Sequence, residues 1–363
     1  MEEKELVIIG GGPAGLSSAI EARKKGVDVL LIDENLRPGG QLFKQIHRFF
    51  GSKEHLAGVR GFVIGEKLLK EVKELNVEVW LNSTVYGIFK GNVIGVIKDG
   101  KNIVLKAKSI ILATGAIENP LSFHGWTLPG VMGAGACQTM INIHRVLPGK
   151  KVLMIGSGNV GLIVSYQLLQ AKADVLGVVE IMPKIGGYLV HALKIKRYGV
   201  PIYLSTTILE ANGKEEVEAA VICPVDNDFK PIFKKKKEIE VDLICIAVGL
   251  SPLNELLYQA GCLFTYKSYL GGFVALHNEN METSVPGIYV AGDCSGVEEA
   301  STAMEEGKLA GISVAEKLKG KIFKEEKEEI VKRLNDFRIG TFGEKRRIAK
   351  EETIKEYYER VKN

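Results

Sequence analysis

Two glycine-rich loops constrain this 363-residue chain more than any other feature, because each stands directly after a strand-like run and directly before a helical one. The first is Gly10-Gly-Gly12-Pro13-Ala14-Gly15. It follows the apolar run ELVIIG (5–10), opens an Ala-rich stretch that reaches about Lys25, and is succeeded by VDVLLID (27–33). The second is Gly156-Ser-Gly158-Asn159-Val160-Gly161. It follows KVLMIG (151–156) and precedes a helical stretch over 160–171 and the run DVLGVVE (174–180). Strand, turn, helix, strand is the unit that builds a parallel sheet. Two units this far apart do not form a solenoid and predict two separate nucleotide-binding lobes.

Both loops match G-x-G-x-x-G in the required context. In that pattern the first glycine permits a tight turn, the second lets backbone approach a pyrophosphate, and the third lets the helix pack on the strand. The phosphates then sit at the positive end of the helix. The pattern also asks for an acid about 20 positions on, to hold a ribose hydroxyl. Asp33 fills that role in the first lobe, with Glu34 as the fallback, and Glu180 fills it in the second. An acid at that position favours a free ribose hydroxyl over a 2′-phosphate, so NAD(H) is expected in preference to NADP, although Lys184 lies close by.

Between the loops, the alternating runs VEVWLNSTV, NVIGVIK and NIVLKA suit a small antiparallel meander inserted into the first lobe, and 202–248 has the same character in the second. The fold class is therefore α/β, with two Rossmann-like dinucleotide-binding domains, each a parallel sheet plus a small antiparallel meander. Boundaries are expected at 1–125 plus 265–320 for the first domain and 126–264 for the second. Residues 321–363 form a charged helical tail, in which Ile330, Val331, Leu334 and Phe337 could make one apolar stripe that either docks on the protein's own body or offers a partner-binding surface. Lys234–Lys237 reads as a solvated turn, being followed by Glu238 and Glu240.

Composition narrows the function classes. A net charge of +4 is small for this length and argues against a nucleic-acid-binding protein. No apolar run reaches the roughly 18 residues of a membrane span, and the start carries no secretory pattern, so a cytoplasmic protein is expected. The five cysteines (Cys137, Cys223, Cys245, Cys262 and Cys294) include no C-x-x-C pair, which disfavours a disulfide scaffold or zinc ribbon. The histidines His47, His55, His124, His144, His191 and His277 have no metal-ligand spacing, and no metal site is expected. Abundant Lys and Glu with sparse Gln is the composition of many proteins from hot environments.

Residues 5–42, ELVIIGGGPAGLSSAIEARKKGVDVLLIDENLRPGGQL, resemble the FAD site of the two-dinucleotide-binding-domain flavoproteins, the pyridine nucleotide-disulfide oxidoreductase superfamily. ILATGA (Ile111–Ala116) and PGIYVAGDCSG (Pro286–Gly296) resemble its other FAD signatures. The resemblance implies FAD contacts from Gly10, Gly12, Pro13, Ala14, Gly15, Asp33, Glu34, Gly40, Gln41, Val85, Ala113, Thr114, Gly115, Gly292 and Asp293. A helix from about Ser301 would point its N–H groups at the flavin, where they stabilise negative charge on the reduced ring. In the second lobe it implies a nicotinamide cofactor on Gly156, Gly158, Asn159, Val160, Gly161 and Glu180. ATP or ADP, held as a structural ligand by a non-catalytic subunit, is the alternative occupant.

The disulfide reductases of that superfamily carry a cysteine pair beside the flavin. Here the first loop runs on to Pro38-Gly-Gly-Gln41, and Cys137 stands alone near the second loop, so disulfide reduction is disfavoured. Ala113–Ile141 and MPKIGGY (182–188) are similar to the FAD subunits of heteromeric sarcosine oxidases, dye-linked proline dehydrogenases and opine- or cyanide-forming dehydrogenases. That similarity implies an FAD-dependent oxidoreductase subunit that exchanges hydride between NAD(H) and FAD. Its partner would be a second flavoprotein subunit. Since no cysteine follows Cys294, any iron–sulfur centre would come from a further small subunit. A stand-alone NADH-dependent reductase, as a homo-oligomer, is the remaining alternative.

Overall fold

The computed structural model describes residues 2–49, 53 and 56–361. The chain separates into two compact units, Met1–Ile117 with Ser251–Asn363, and Glu118–Leu250.

The first unit begins with strand β1 (Glu2–Ile9), helix α1 (Pro13–Lys24) and strand β2 (Val29–Ile32), then helix α2 (Gly61–Glu74). Strands β3 (Glu78–Trp80), β4 (Ser83–Phe89), β5 (Val93–Lys98) and β6 (Lys101–Leu112) follow. β2 is buried along its whole length, as a parallel strand covered on both faces must be. Successive β1 residues face opposite ways. Leu6 and Ile8 join the core beneath α1, while Val7 and Ile9 join the core on the other face.

These strands form one sheet in the order β3-β2-β1-β6-β5-β4, with Ile288–Val290 also paired to β6. The antiparallel meander is therefore a continuation of the main sheet, not a separate insertion. The reason is the length of β6. Its first part pairs antiparallel with β5 (Lys101–Lys106), and the part reaching Leu112 runs parallel beside β1.

In the second unit, strand Val131–Gly133 leads into helix α3 (Ala134–Asn142), and strand Lys151–Ile155 leads into helix α4 (Asn159–Gln170). Strand Asp174–Val179 and helix α5 (Leu189–Arg197) complete the repeat. Its five-stranded sheet runs 202–203, 174–179, 151–155, 243–246, 131–133, and here the three antiparallel strands at 206–212, 219–224 and 237–240 do stand apart. Lys234 and Lys235 occupy a short exposed turn before the last of them.

The chain then returns to the first unit with helix α6 (Glu255–Gln259), strand Ile288–Val290, and helices α7 (Ala300–Lys319), α8 (Lys324–Phe337) and α9 (Gly340–Val361). The crossings fall at 117/118 and 250/251, not at 125/126 and 264/265. Packing explains the difference. Leu121 and Phe123 pack on the core of the second unit, whereas Leu257 and Cys262 belong to the core of the first. The tail is not a separate element either, because Ile330 and Leu334 enter the core beneath α1 and α7. The stripe is narrower than expected, since Val331 faces solvent.

Candidate dinucleotide-binding sites

Parallel register brings the distant motifs of the first unit to one sheet edge. Gly10 donates to Ile32 O (2.8 Å), Ala113 to Ile9 O (2.8 Å) and Ala291 to Leu112 O (2.9 Å). The glycine loop, Asp33, Ala113-Thr114-Gly115 and Gly292-Asp293 thus leave the carboxyl ends of neighbouring strands together, where ligands bind in open α/β sheets. The second unit repeats the arrangement. There Gly156 donates to Val179 O (2.7 Å) and Ala247 to Ile155 O (2.7 Å).

Each glycine has a distinct physical duty, and the duties match between the units. Gly10 and Gly156 have φ of +102° and +106°, a region that side chains rarely adopt, and a Cβ there would meet Ala113 O at 2.3 Å or Ala247 O at 2.2 Å. Gly15 and Gly161 lie under their own loops. A Cβ would stand 1.9 Å from Gly10 O and 2.2 Å from Gly156 O. Gly12 and Gly158 meet nothing within 4 Å. They are the N-caps of α1 and α4, and neither helix has a side-chain cap. First-turn N–H groups are thereby left for an anion, with open space over the second glycine for its phosphates. This donor set fits a dinucleotide pyrophosphate in each unit. Pro13 and Ala14 in one loop, and Asn159 and Val160 in the other, are the first helical residues behind that cap.

The acids brace these loops. Asp33 Oδ2 accepts from Gly11 N (2.6 Å), and Oδ1 accepts from Asn35 N (2.8 Å). Glu180 Oε2 accepts from Ser157 N (2.9 Å) and Oγ (2.6 Å), and Oε1 accepts from Met182 N (3.0 Å). Glu34, the fallback, is exposed. A second Gly-Gly pair closes on each loop. Gly39 donates to Gly11 O (2.6 Å), and a Cβ on Gly40 would stand 3.0 Å from Gly12 Cα. Gly187 donates to Ser157 O (2.8 Å), and Tyr188 to Asn159 Oδ1 (2.9 Å). The signal for this lay in the sequence, where Gly39-Gly40 and Gly186-Gly187 follow Asp33 and Glu180 at the same offset.

Of the other expected residues, Gln41 is exposed on a 3₁₀ turn (Gly40–Lys44), and Val85 sits in β4 opposite Val96. Thr114 Oγ1 donates to Leu253 O (2.9 Å), and Gly115 (φ +80°) faces open space. Ser301 is buried in the first turn of α7. That helix lies close on α1: a Cβ on Gly307 would meet Ala14 O at 2.2 Å, and Ser18 Oγ donates to Gly307 O (2.9 Å). Close packing of small residues carries the start of α7 to the glycine loop, where a Cβ on Gly292 would stand 2.8 Å from Ala14 Cβ. Asp293 accepts from Glu298 N (3.3 Å). Burial, aided by the negative charges of Glu306, Glu298 and Glu299, pushes its carboxyl up to about 7.

The cysteines are packed into the cores. Cys294 is buried, its Sγ donates to Leu112 O (3.2 Å) and Ala291 O (3.3 Å), and burial raises its pKa. Cys137 is not isolated as the sequence suggested. The strand at 243–246 sets the Cys245 thiol against it in the core, and this contact together with burial raises the Cys245 pKa well above its ordinary value. All five cysteines are buried free thiols. In the native protein Cys137 and Cys245 should resist iodoacetamide and label only after denaturation, as mass spectrometry of the alkylated peptides would read; rapid native labelling would contradict this. His55 lies outside the described residues. Among the described residues, no group of three or more His, Cys, Asp or Glu side chains could hold a metal.

A family model described as pyridine nucleotide-disulphide oxidoreductase matches residues 4–307. The chain belongs to the pyridine nucleotide-disulphide oxidoreductase family. It is an oxidoreductase of that flavin- and nicotinamide-dependent group, which gives no support to ATP or ADP as the second ligand. An opine oxidase subunit from Agrobacterium tumefaciens is 29% identical over 343 residues, covering 87% of this chain and 66% of the relative, so the chain spans just under two thirds of that protein. Hydrogen cyanide synthase subunit HcnB of Pseudomonas aeruginosa is 30% identical over 331 residues (85% of this chain, 70% of the relative). NADH oxidase of Methanocaldococcus jannaschii is 28% identical over 336 residues (85% and 69%).

Among solved structures, T. acidophilum thioredoxin reductase superposes with a TM-score of 0.73 at 22% identity, covering 87% of this chain and 99% of that one. L-proline dehydrogenase from P. horikoshii gives 0.68 at 23% identity (90% and 58%). At these identities the structures speak for the shared fold. Among the described residues, no helix is long and apolar enough to cross a membrane.

Proposed function

We propose that the first unit holds FAD and the second NAD(H), and that the chain is the electron-transferring flavoprotein subunit of an amine or amino-acid dehydrogenase complex. The observation that carries this reading is the matched pair of glycine cradles, each with an uncapped helix N-terminus and an acid at the strand end. Relatives named as subunits of opine oxidase and hydrogen cyanide synthase support the subunit role. The partner would be a second, amine-oxidising flavoprotein, with a small iron–sulfur subunit where the electron route requires one. FAD supplies the two-electron chemistry when bound. This chain's residues would bind and orient it: the glycine loop, α1 and the Gly39-Gly40 pair that closes on the loop would take the pyrophosphate, Asp33 the adenosine side, and Asp293 with the start of α7 the ribityl and ring side.

In the second unit, Glu180 at the strand end favours a free ribose hydroxyl, and Lys184 is exposed. Anaerobic NADH should therefore bleach the flavin absorbance within minutes, with NADPH at least about tenfold less effective. No bleaching by either would refute the NAD(H) half. The relative named NADH oxidase supports a second reading, a free-standing NADH-dependent enzyme. Co-purification separates the two: an amine-oxidising flavoprotein eluting with this chain supports the subunit reading, and a homo-oligomer that turns over NADH alone supports the other.

A further inference from the structure

A buried charge network joins the last two helices to the loop that carries Asp293. Glu306, on α7, is 2% exposed. Its Oε2 accepts from Gly292 N (3.1 Å) and Ser295 Oγ (2.6 Å). Its Oε1 accepts from Arg338 Nη2 (2.6 Å), at the end of α8, and pairs with Lys350 Nζ (2.8 Å), in α9. Lys350 also donates to Ser295 O (3.0 Å) and Oγ (2.6 Å), and Arg338 Nη2 donates to Glu298 Oε1 (2.6 Å). Arg338 and Lys350 are 8% and 3% exposed.

Two buried cations thus meet two buried carboxylates, and the segment from Gly292 to Glu298 is tied at Gly292, Ser295 and Glu298. Burial alone would raise the Glu306 pKa, but Lys350 and Arg338 hold it down at about 2, so the carboxylate stays charged. A buried network of this kind is a weak source of stability, because apolar packing of equal volume does as well. What it supplies is a fixed geometry. The family match ends at residue 307, so Arg338 and Lys350 lie beyond it.

We propose that Arg338 and Lys350 are positioning residues for the flavin: acting through Glu306 and Ser295, they hold the Gly292–Glu298 loop in its FAD-binding shape, so that α8 and α9 clamp the cofactor site. This inference rests on the assignment of FAD to the first unit. Neither cation needs to touch FAD. Each acts through the loop, whose backbone must keep Asp293 and Gly292 in place.

The test uses the full chain stripped of FAD and titrated with it, following flavin fluorescence, with the melting temperature of each FAD-free protein measured alongside. Lys350→Met should weaken FAD binding about tenfold or more and lower the melting temperature, since it removes donors from Ser295 and leaves Glu306 underpaired. The double variant E306Q/K350M removes both charges and should recover most of the lost melting temperature while FAD binding stays weak. Lys355→Met, on an exposed lysine of α9, should bind FAD like the wild type. A double variant with wild-type FAD affinity overturns the clamp, because affinity would then follow stability alone. A wild-type protein that takes up no FAD overturns the cofactor assignment itself, and the clamp with it.

Discussion

Gly12→Glu should leave the protein folded yet weaken FAD binding by on the order of a hundredfold, whereas Gly15→Ala, a far smaller change, should destabilise the fold itself. At Gly12, φ is −73° and a Cβ would meet nothing within 4 Å, so a side chain starts there without backbone strain or overlap at its Cβ. A carboxylate there, however, occupies the space over the first turn of α1 and opposes the charge of the pyrophosphate. At Gly15 a methyl group would stand 1.9 Å from Gly10 O, inside the contact that seats α1 on β1. Relieving it requires moving the helix or the loop, at about 3 kcal/mol. Thermal melting of the FAD-free proteins with an FAD titration would check the pair. A Gly12→Glu protein that binds FAD normally would refute the cradle, and a Gly15→Ala protein that melts like the wild type would refute the packing argument. The matched residues Gly158 and Gly161 should divide in the same way for NADH.

The FAD-free Asp293→Asn protein should gain stability over the wild type as pH rises from about 4 to 7, reaching roughly 2 kcal/mol at pH 8 once the partial exposure of Asp293 is allowed for. The sign follows from the direction of the shift. Burial and three neighbouring carboxylates raise the folded pKa above that of the unfolded chain, so between those values the folded protein binds more protons and loses stability as pH rises. Below about pH 4 the two proteins should melt alike. His277 acts in the opposite direction. Its burial lowers its pKa to about 4, so stability is lost as pH falls from about 6.5 toward 4. The wild-type profile is therefore flattened where the two overlap, and the difference between variant and wild type isolates Asp293. Melting curves across pH 4–8 would read it; parallel profiles would remove Asp293 as an energetic burden. Such a burden is what a binding residue held ready for a ligand carries.

The two dinucleotide units, their glycine loops and their acids were all legible in the amino-acid order. These are local features: a strand, a turn that only glycine can make, and a helix start all lie within about fifteen residues, and each has a fixed steric reason. The Gly39-Gly40 and Gly186-Gly187 closures were legible in the same way, as equal offsets from Asp33 and Glu180. The remaining features depend on how distant segments meet. β6 joins the meander to the main sheet because one long strand pairs antiparallel with β5 and parallel with β1 and Ile288–Val290, and the unit boundaries follow where Phe123 and Leu257 pack, which no local pattern records. Cys137 gains Cys245 as a neighbour from a distant strand. Arg338 and Lys350 look like any surface cations in a charged tail. Their meaning appears only when α8 and α9 fold back and bury both against Glu306, since long-range charge pairing has no period in the sequence to betray it.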